Sequence, residues 1–167
     1  LEASNHVGTG VGTRGNAIVV CNADSKTGLN FRGEKTEFVT FKNPLTLSTT
    51  RAFTMDWWMN AKKNITASHA IGGTMGDMLI CSLGDGSLSF SMGGTVYTTN
   101  ATFFKVGEWH HYALVFDKGN LHLYRDGESI ETIYTRFKNQ FPTMPETFTL
   151  GGSQGAMNAV LDEFRIW

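Results

Sequence analysis

Short runs of alternating apolar and polar residues recur along most of the chain. A period of two places successive side chains on opposite faces of a strand. No segment combines the 3.6-residue apolar period with the caps of a helix, and helical turns are expected at most within residues 61–77 and 136–146. About eleven strand-like segments begin at Ala17, separated by Gly, Asn and Asp, a spacing that predicts an all-β sandwich or barrel. They read AIVVC, TEFVTF, AFTMDWWMN, DMLICSL, LSFSM, VYTT, HYALVF, LHLYR, SIETIY, TFTLGG and AVLDEFRIW.

The clearest hairpin lies in the stretch HYALVFDKGNLHLYRDGE. Its turn is the segment 117–120, DKGN, in which Gly119 supplies the positive φ that a tight turn needs. If Asp117 faces Asn120, one face of the hairpin is mostly apolar and the other is mixed. The apolar face then pairs Phe116 with Leu121, Leu114 with Leu123 and Tyr112 with Arg125. The mixed face sets His111, Ala113 and Val115 against Asp126, Tyr124 and His122.

Two adjacent histidines start this hairpin. Neighbours on a strand point to opposite sides of the sheet, so His110 and His111 do not bind one metal ion together. We interpret both as structural. We expect Asp126, across from His111, to accept a hydrogen bond from the His111 ring.

Residues 1–16 are rich in Gly and Thr and have no period, which predicts a flexible arm or linker before a domain spanning 17–167. The chain starts without Met and shows no signal-peptide pattern, so we expect it to be part of a longer protein with other domains. Cys21 and Cys81 form one disulfide or remain two buried thiols, and their spacing does not decide between these.

Charge and hydropathy exclude two classes of function. Charged residues make up 17% of the chain and the net charge is −1, so the basic surface of a nucleic-acid binder is lacking. No apolar run reaches the roughly 18 residues that a helix needs to cross a bilayer.

Several segments together resemble one family. VGEWHHYALVFDKGNLHLYRDGE is similar to the signature of concanavalin A-like, laminin-G-like domains, in which a Trp-His-His strand leads through a hairpin to a Leu-Tyr-x-Asp-Gly turn. GLNFRGEKTEFVTF, AFTMDWWMN and LGGSQGAMNAVLDEFRIW resemble further strands of the same family, in the family's order. The resemblance implies an antiparallel jelly-roll β-sandwich, with one sheet bowed and with ligands on the concave face or at the rim loops.

The same fold includes glycosidases, whose carboxylates lie on one strand as Glu-x-Asp-x-x-Glu or Glu-x-Asp-x-Glu. Retaining hydrolysis needs two carboxyl groups about 5 Å apart. In this chain no Glu is followed by Asp two positions later. The adjacent pair Asp162 and Glu163 points to opposite faces of a regular strand and does not replace the motif. We therefore predict that the domain is not an enzyme.

Binding candidates come from aromatic rings with polar neighbours, because a sugar site stacks a ring on the pyranose face and hydrogen-bonds the hydroxyls. In AFTMDWWMN, alternation directs Phe53, Met55, Trp57 and Met59 to the core and Thr54, Asp56, Trp58 and Asn60 to the other face. The family resemblance also matches Trp58 to a tryptophan that is usually packed, so a structural role stays open. We expect Trp109 and Trp167 to seal the core edges. The candidate ligand-binding residues are Trp58, Asp56, Tyr97, His111, His122 and Tyr124.

Laminin-G-like relatives often hold Ca²⁺ at the rim, and the resemblance makes Ca²⁺ the expected cofactor if there is one. Calcium takes six to eight oxygen ligands. Asp24, Asp77 and Asp85 lie in predicted loops, but no spacing selects a ligand set among them.

The sequence thus predicts a non-catalytic recognition module of a secreted or cell-surface protein that binds carbohydrate or a glycoconjugate. The alternative is a protein-interaction or architectural domain without sugar binding. A glycoside hydrolase-related domain is the third hypothesis. The expected partner is a glycan or an extracellular protein.

Overall fold

The fold consists of β-strands joined by turns and loops. The structure, a computed structural model, describes residues 2–4, 11–14, 18–21, 27–42, 52–62, 69–74, 78–82, 85–138, 146–151 and 157–167. Within these residues there is no helix, and so none long and apolar enough to span a membrane. The strands are β1 (Glu2–Ser4), β2 (Val11–Arg14), β3 (Ile18–Cys21), β4 (Thr27–Arg32), β5 (Phe38–Lys42), β6 (Ala52–Ala61), β7 (His69–Thr74), β8 (Met78–Ser82), β9 (Leu88–Met92), β10 (Thr95–Thr98), β11 (His110–Asp117), β12 (Asn120–Arg125), β13 (Glu128–Tyr134), β14 (Thr147–Gly151) and β15 (Asn158–Ile166).

The strands form two antiparallel sheets. One has eight strands in the order β1-β2-β5-β14-β7-β8-β9-β10, and the other has seven in the order β13-β12-β11-β6-β15-β4-β3. Hairpins between consecutive strands are combined with pairs of strands that are distant in sequence, such as β6 and β15. The predicted antiparallel jelly-roll β-sandwich is confirmed.

The core lies between the sheets and is rich in aromatic residues. Trp57 and Tyr112 are fully buried, and their rings stack with centroids 5.9 Å apart. Phe103 and Phe104 close this part of the core, each with its ring 5.2 Å from Tyr112. Burying one such side chain contributes roughly 1.5–3 kcal/mol. The core therefore fixes β6 and β11 side by side at the centre of the seven-stranded sheet.

The predicted hairpin has the predicted register. β11 pairs with β12 from Tyr112–Arg125 to Asp117–Asn120. Lys118 and Gly119 have φ values of 47° and 84°, as a two-residue type I′ turn requires. Alternate residues of β11 are buried, so His110 and His111 do point to opposite sides of the sheet.

Two local features of the fold go beyond the alternating pattern of the sequence. Residues 1–16 carry β1 and β2, and β2 pairs with β5 through Thr13 and Thr40. These two strands extend the eight-stranded sheet, and the domain boundary at Ala17 stays a prediction. β7 lies within residues 61–77, where the sequence allows short helical turns and shows no alternating segment before Asp77. Its glycines at 72 and 73 weaken the alternating pattern, which explains why the sequence does not reveal the strand.

Candidate functional site

The outer face of the seven-stranded sheet, the side turned away from the core, carries most of the candidate residues. β6 buries Phe53, Met55, Trp57 and Met59 as predicted. Its other side chains point outward, but Asp56 is only 6% exposed although it lies on this face. A buried carboxylate needs partners, and the neighbouring strands supply them.

Asp56 is the centre of a hydrogen-bonded cluster. Arg165 on β15 donates to Oδ1 through Nε at 2.8 Å and also through Nη2. The indole Nε1 of Trp167 donates to Oδ2 at 2.8 Å, and Nε2 of His111 donates to Oδ1 at 3.2 Å. These residues, Asp56, His111, Arg165 and Trp167, are called the Asp56 cluster below.

The cluster keeps its carboxylate ionised. Burial raises the pKa of Asp56, but the hydrogen bonds from Arg165, Trp167 and His111 and the charge of Arg165 outweigh this, so that the pKa lies below its usual value. Asp56 is therefore an anchor for its neighbours and not a proton donor at neutral pH.

On this face, the strand register places a larger side chain on each side of the small residue Ala113. Ala113 pairs with Tyr124 on one side and with Asp56 on the other, and Asp56 pairs with Arg165. With strands about 4.8 Å apart, Tyr124 and Asp56 lie roughly 10 Å apart across Ala113. The short Ala113 side chain therefore separates two larger side chains on the outer face.

The next outward-facing pair of residues along β6 and β11 consists of two aromatic rings. His111 pairs with Trp58, and their rings are tilted against each other with centroids 5.3 Å apart. Both side chains are partly exposed. Trp58 is therefore supported by its neighbours and still presents part of its surface on the outer face.

The remaining candidates divide between the two sheets. His122 lies on the outer face, with Nδ1 3.0 Å from the hydroxyl of Thr132. Tyr97 lies on β10 of the eight-stranded sheet, and its hydroxyl accepts a hydrogen bond from the Arg136 backbone N–H at 3.2 Å. The structure thus brings together Asp56, Trp58, His111, His122 and Tyr124, but not Tyr97.

The predicted partner of Asp126 is wrong. Its carboxylate accepts from Nδ1 of the His110 ring at 2.7 Å and from the backbone N–H of His111 at 3.0 Å, whereas the His111 ring donates to Asp56. Asp126 has a φ of 53° because it begins a turn, so strand alternation does not determine where its side chain points. Burial raises the pKa of Asp126, but the hydrogen bonds from the His111 backbone and the His110 ring, together with the charge of Arg125, outweigh burial and lower the pKa overall.

The expected role of the terminal tryptophan is also wrong. Trp167 is 58% exposed and does not seal the core, and Trp109 is 36% exposed. Trp167 is held on the outer face by its indole bond to Asp56 and by reciprocal backbone hydrogen bonds with Thr54 of 3.2 and 2.9 Å. The guanidinium of Arg165 lies 6.0 Å from the centre of its ring, within reach of a cation–π interaction.

Sequence reasoning missed Arg165 and Trp167 because of a β-bulge. The register of β15 against β6 shifts between Asp162 and Arg165, and Glu163 has a φ of 50°. A bulge changes which residues share a face. The sequence contains one signal for this pair: Arg165 and Trp167 are two residues apart, so both side chains lie on the same face of a strand.

A second feature lies at the rim, where a depression of about 450 Å³ opens beside the loop that precedes β11. Arg125 fixes this loop by donating to the carbonyls of Thr102 and Phe103 at 3.1 and 3.0 Å. The depression is lined by Asp85, Gly86, Thr102, Phe104, Lys105, Val106 and Glu108.

The calcium prediction stays a prediction. Asp24 and Asp77 lie outside the described residues. Asp85 accepts hydrogen bonds from the backbone N–H and the hydroxyl of Ser87, at 2.9 and 2.6 Å, and these lower its pKa. In the part of the chain that the structure describes, no three His, Cys, Asp or Glu side chains cluster as metal ligands.

The two antiparallel sheets, the aromatic core and the polar outer face define a concanavalin A-like β-sandwich. Residues 32–167 match the profile of the Laminin_G_3 family, described as the concanavalin A-like lectin/glucanases superfamily. The chain belongs to this family. The comparison with curated protein sequences found no match.

Solved structures with this fold include botulinum neurotoxins. The chain is similar to botulinum neurotoxin type C, whose cell entry depends on interaction with two ganglioside molecules (TM-score 0.71, 14% identity). It is also similar to the binding domain of botulinum neurotoxin DC, solved with SialylT (TM-score 0.72, 15% identity) and with rat synaptotagmin II (TM-score 0.72, 15% identity). In each case the match covers 95% of this chain and 43% of the other, so this chain spans less than half the length of those proteins.

Proposed function

We propose that this domain is a non-catalytic carbohydrate-recognition module that acts outside the cell and binds its ligand on the outer face of the seven-stranded sheet. The observation that carries the proposal is the indole of Trp167, which is 58% exposed yet held in one orientation by Asp56. An aromatic ring fixed before binding loses little conformational entropy when a sugar stacks on it.

The neighbourhood of Trp167 supports this function. Trp58 and Tyr124 add two partly exposed rings around Ala113, and His111 and His122 add ring nitrogens for hydroxyl groups. Sugar sites of this kind combine apolar surface with a few placed polar groups. The interactions with ganglioside and SialylT of structurally similar neurotoxins agree with this ligand class. The missing Glu-x-Asp motif agrees with binding without turnover.

The test is a glycan screen followed by calorimetric titration of the best glycan. Trp167→Ala and Trp58→Ala should each weaken binding at least tenfold, a change of about 1.4 kcal/mol. Trp167→Phe, which keeps a ring but loses the bond to Asp56, should give an intermediate loss. Tyr134→Ala is the matched control, because this aromatic residue is 74% exposed on the edge strand β13 and away from the cluster. Equal losses in the control and in Trp167→Ala would refute the proposed location.

A protein ligand is the second candidate function. Val96 and Tyr134 are 64% and 74% exposed on the edge strands β10 and β13, and exposed apolar residues are common in protein interfaces. A structurally similar neurotoxin domain was solved with rat synaptotagmin II. Absence of glycan binding, with capture of a protein partner that Val96→Asp and Tyr134→Ala abolish, would favour this function.

A further inference from the structure

One buried nitrogen near the rim has no hydrogen-bond partner. The His110 side chain is 10% exposed, and its Nδ1 is engaged by Asp126 at 2.7 Å. Its Nε2 is buried and unpaired among the described residues. Buried polar atoms in folded proteins nearly always have a partner, so this nitrogen calls for a physical explanation.

The hydrogen bond to Asp126 determines the tautomer of the His110 ring. A carboxylate only accepts hydrogen bonds, so Nδ1 carries a proton, and in the neutral imidazole Nε2 then presents a lone pair. The backbone N–H of His111 also binds Asp126, which fixes the orientation of the carboxylate and of the ring. A carboxylate that holds one ring nitrogen while the other binds an ion is the usual arrangement for metal-binding histidines.

The carboxylate of Glu108 lies near His110 Nε2, at about the distance that separates two ligand atoms of one metal ion. Glu108 Oε2 lies 3.7 Å from His110 Nε2, too far for a direct hydrogen bond. Metal–ligand bonds of about 2.1 Å in tetrahedral geometry separate two ligand atoms by roughly 3.4 Å. The Glu108 side chain is 78% exposed, so a small rotation closes the difference. Glu108 also lines the rim depression, so its carboxylate is accessible from solvent.

We propose that His110 Nε2 and Glu108 bind a divalent transition-metal ion of the Zn²⁺ class, with Asp126 orienting the imidazole. A mixed imidazole and carboxylate site suits such ions better than Mg²⁺ or Ca²⁺. The described residues supply two side-chain ligands, and water completes the coordination, which makes the site open and exchangeable. His111 takes no part, because its ring lies on the other side of the sheet and donates to Asp56.

Calorimetric titration of the metal-free full chain with Zn²⁺ near pH 7 tests the proposal. One ion should bind per chain, and Glu108→Gln should weaken binding at least tenfold, within the range that altered metal shells produce. The exposed position of Glu108 means that this variant keeps the fold. Asp126→Asn should also weaken binding. Glu128→Gln, an exposed glutamate on β13, is the matched control and should bind as the wild type does.

A second measurement identifies the ligating atom. In ¹⁵N spectra of the histidine rings, Zn²⁺ should shift Nε2 of His110 and leave His122 unchanged. Absence of saturable binding up to about 1 mM Zn²⁺ would overturn the proposal. So would equal affinity of Glu108→Gln and the wild type, or shifts confined to other histidines. Glycan binding by Glu108→Gln should be normal, so failure here is distinct from failure of the proposed function.

Discussion

Replacement of Asp56 by Asn tests the Asp56 cluster as a structural anchor. The substitution keeps the size of the side chain but removes the charge that accepts from Arg165, Trp167 and His111. Removal of one partner from a buried ion pair costs about 3–5 kcal/mol. Arg165 is 32% exposed and lies 3.8 Å from Glu163, so water and this second carboxylate compensate in part. We therefore expect a loss of about 2–3 kcal/mol in the free energy of unfolding.

Urea denaturation measures this loss. With a slope of about 2 kcal/mol per molar urea for a chain of this size, the midpoint should fall by about 1 M. Glu163→Gln is the control, since it removes only the exposed partner of Arg165 and should change stability by less than about 0.5 kcal/mol. A loss below about 0.5 kcal/mol in Asp56→Asn would show that the cluster does not anchor this face.

The pH dependence supplies an independent check. The folded pKa of Asp56 lies below its ordinary value, which is about 3.9 in an unfolded chain. Its carboxylate therefore contributes its full stability above the unfolded pKa, and the contribution disappears as the pH falls through the lower folded pKa. The difference between wild type and Asp56→Asn should be constant above about pH 5 and should narrow below about pH 4. Other carboxylates are common to both proteins and cancel in this difference.

Two further substitutions test backbone and core packing by the same assay. Gly151→Ala should destabilise by about 2–4 kcal/mol, because φ is 69° and the added Cβ would lie 2.7 Å from the backbone oxygen of Glu37. Gly94→Ala, with a φ of 76° and no atom within 4 Å of the added Cβ, should cost about 1 kcal/mol, and equal losses would contradict the steric explanation. Leu114→Ala should cost about 2–5 kcal/mol because the side chain is fully buried, whereas Val96→Ala at a 64% exposed position should change stability by less than about 0.5 kcal/mol.

The sequence predicts the site well wherever strands are regular. The register between β11 and β12 and the two faces of β6 follow from alternation, so the positions of Trp58, His111 and Tyr124 on one face were predictable. The double-layered fold also follows, because the apolar periods of eleven segments require two sheets that cover each other.

Prediction from sequence fails where the chain leaves the regular strand. The bulge at Glu163 shifts the phase of β15, which brings Arg165 and Trp167 to Asp56. Asp126 binds the ring of His110 because it begins a turn and is not part of the ladder. In both places a positive φ at a non-glycine residue changes the direction of a side chain, and no period in the sequence records it.

The most direct test of carbohydrate recognition on the outer face uses the four tryptophans as reporters. Trp58 and Trp167 lie on this face, Trp57 lies in the core and Trp109 lies at the rim. In ¹H–¹⁵N correlation spectra, a bound glycan should shift the indole signals of Trp58 and Trp167 and leave those of Trp57 and Trp109 in place. A shift confined to Trp109, or no shift with any glycan, would contradict binding at this face.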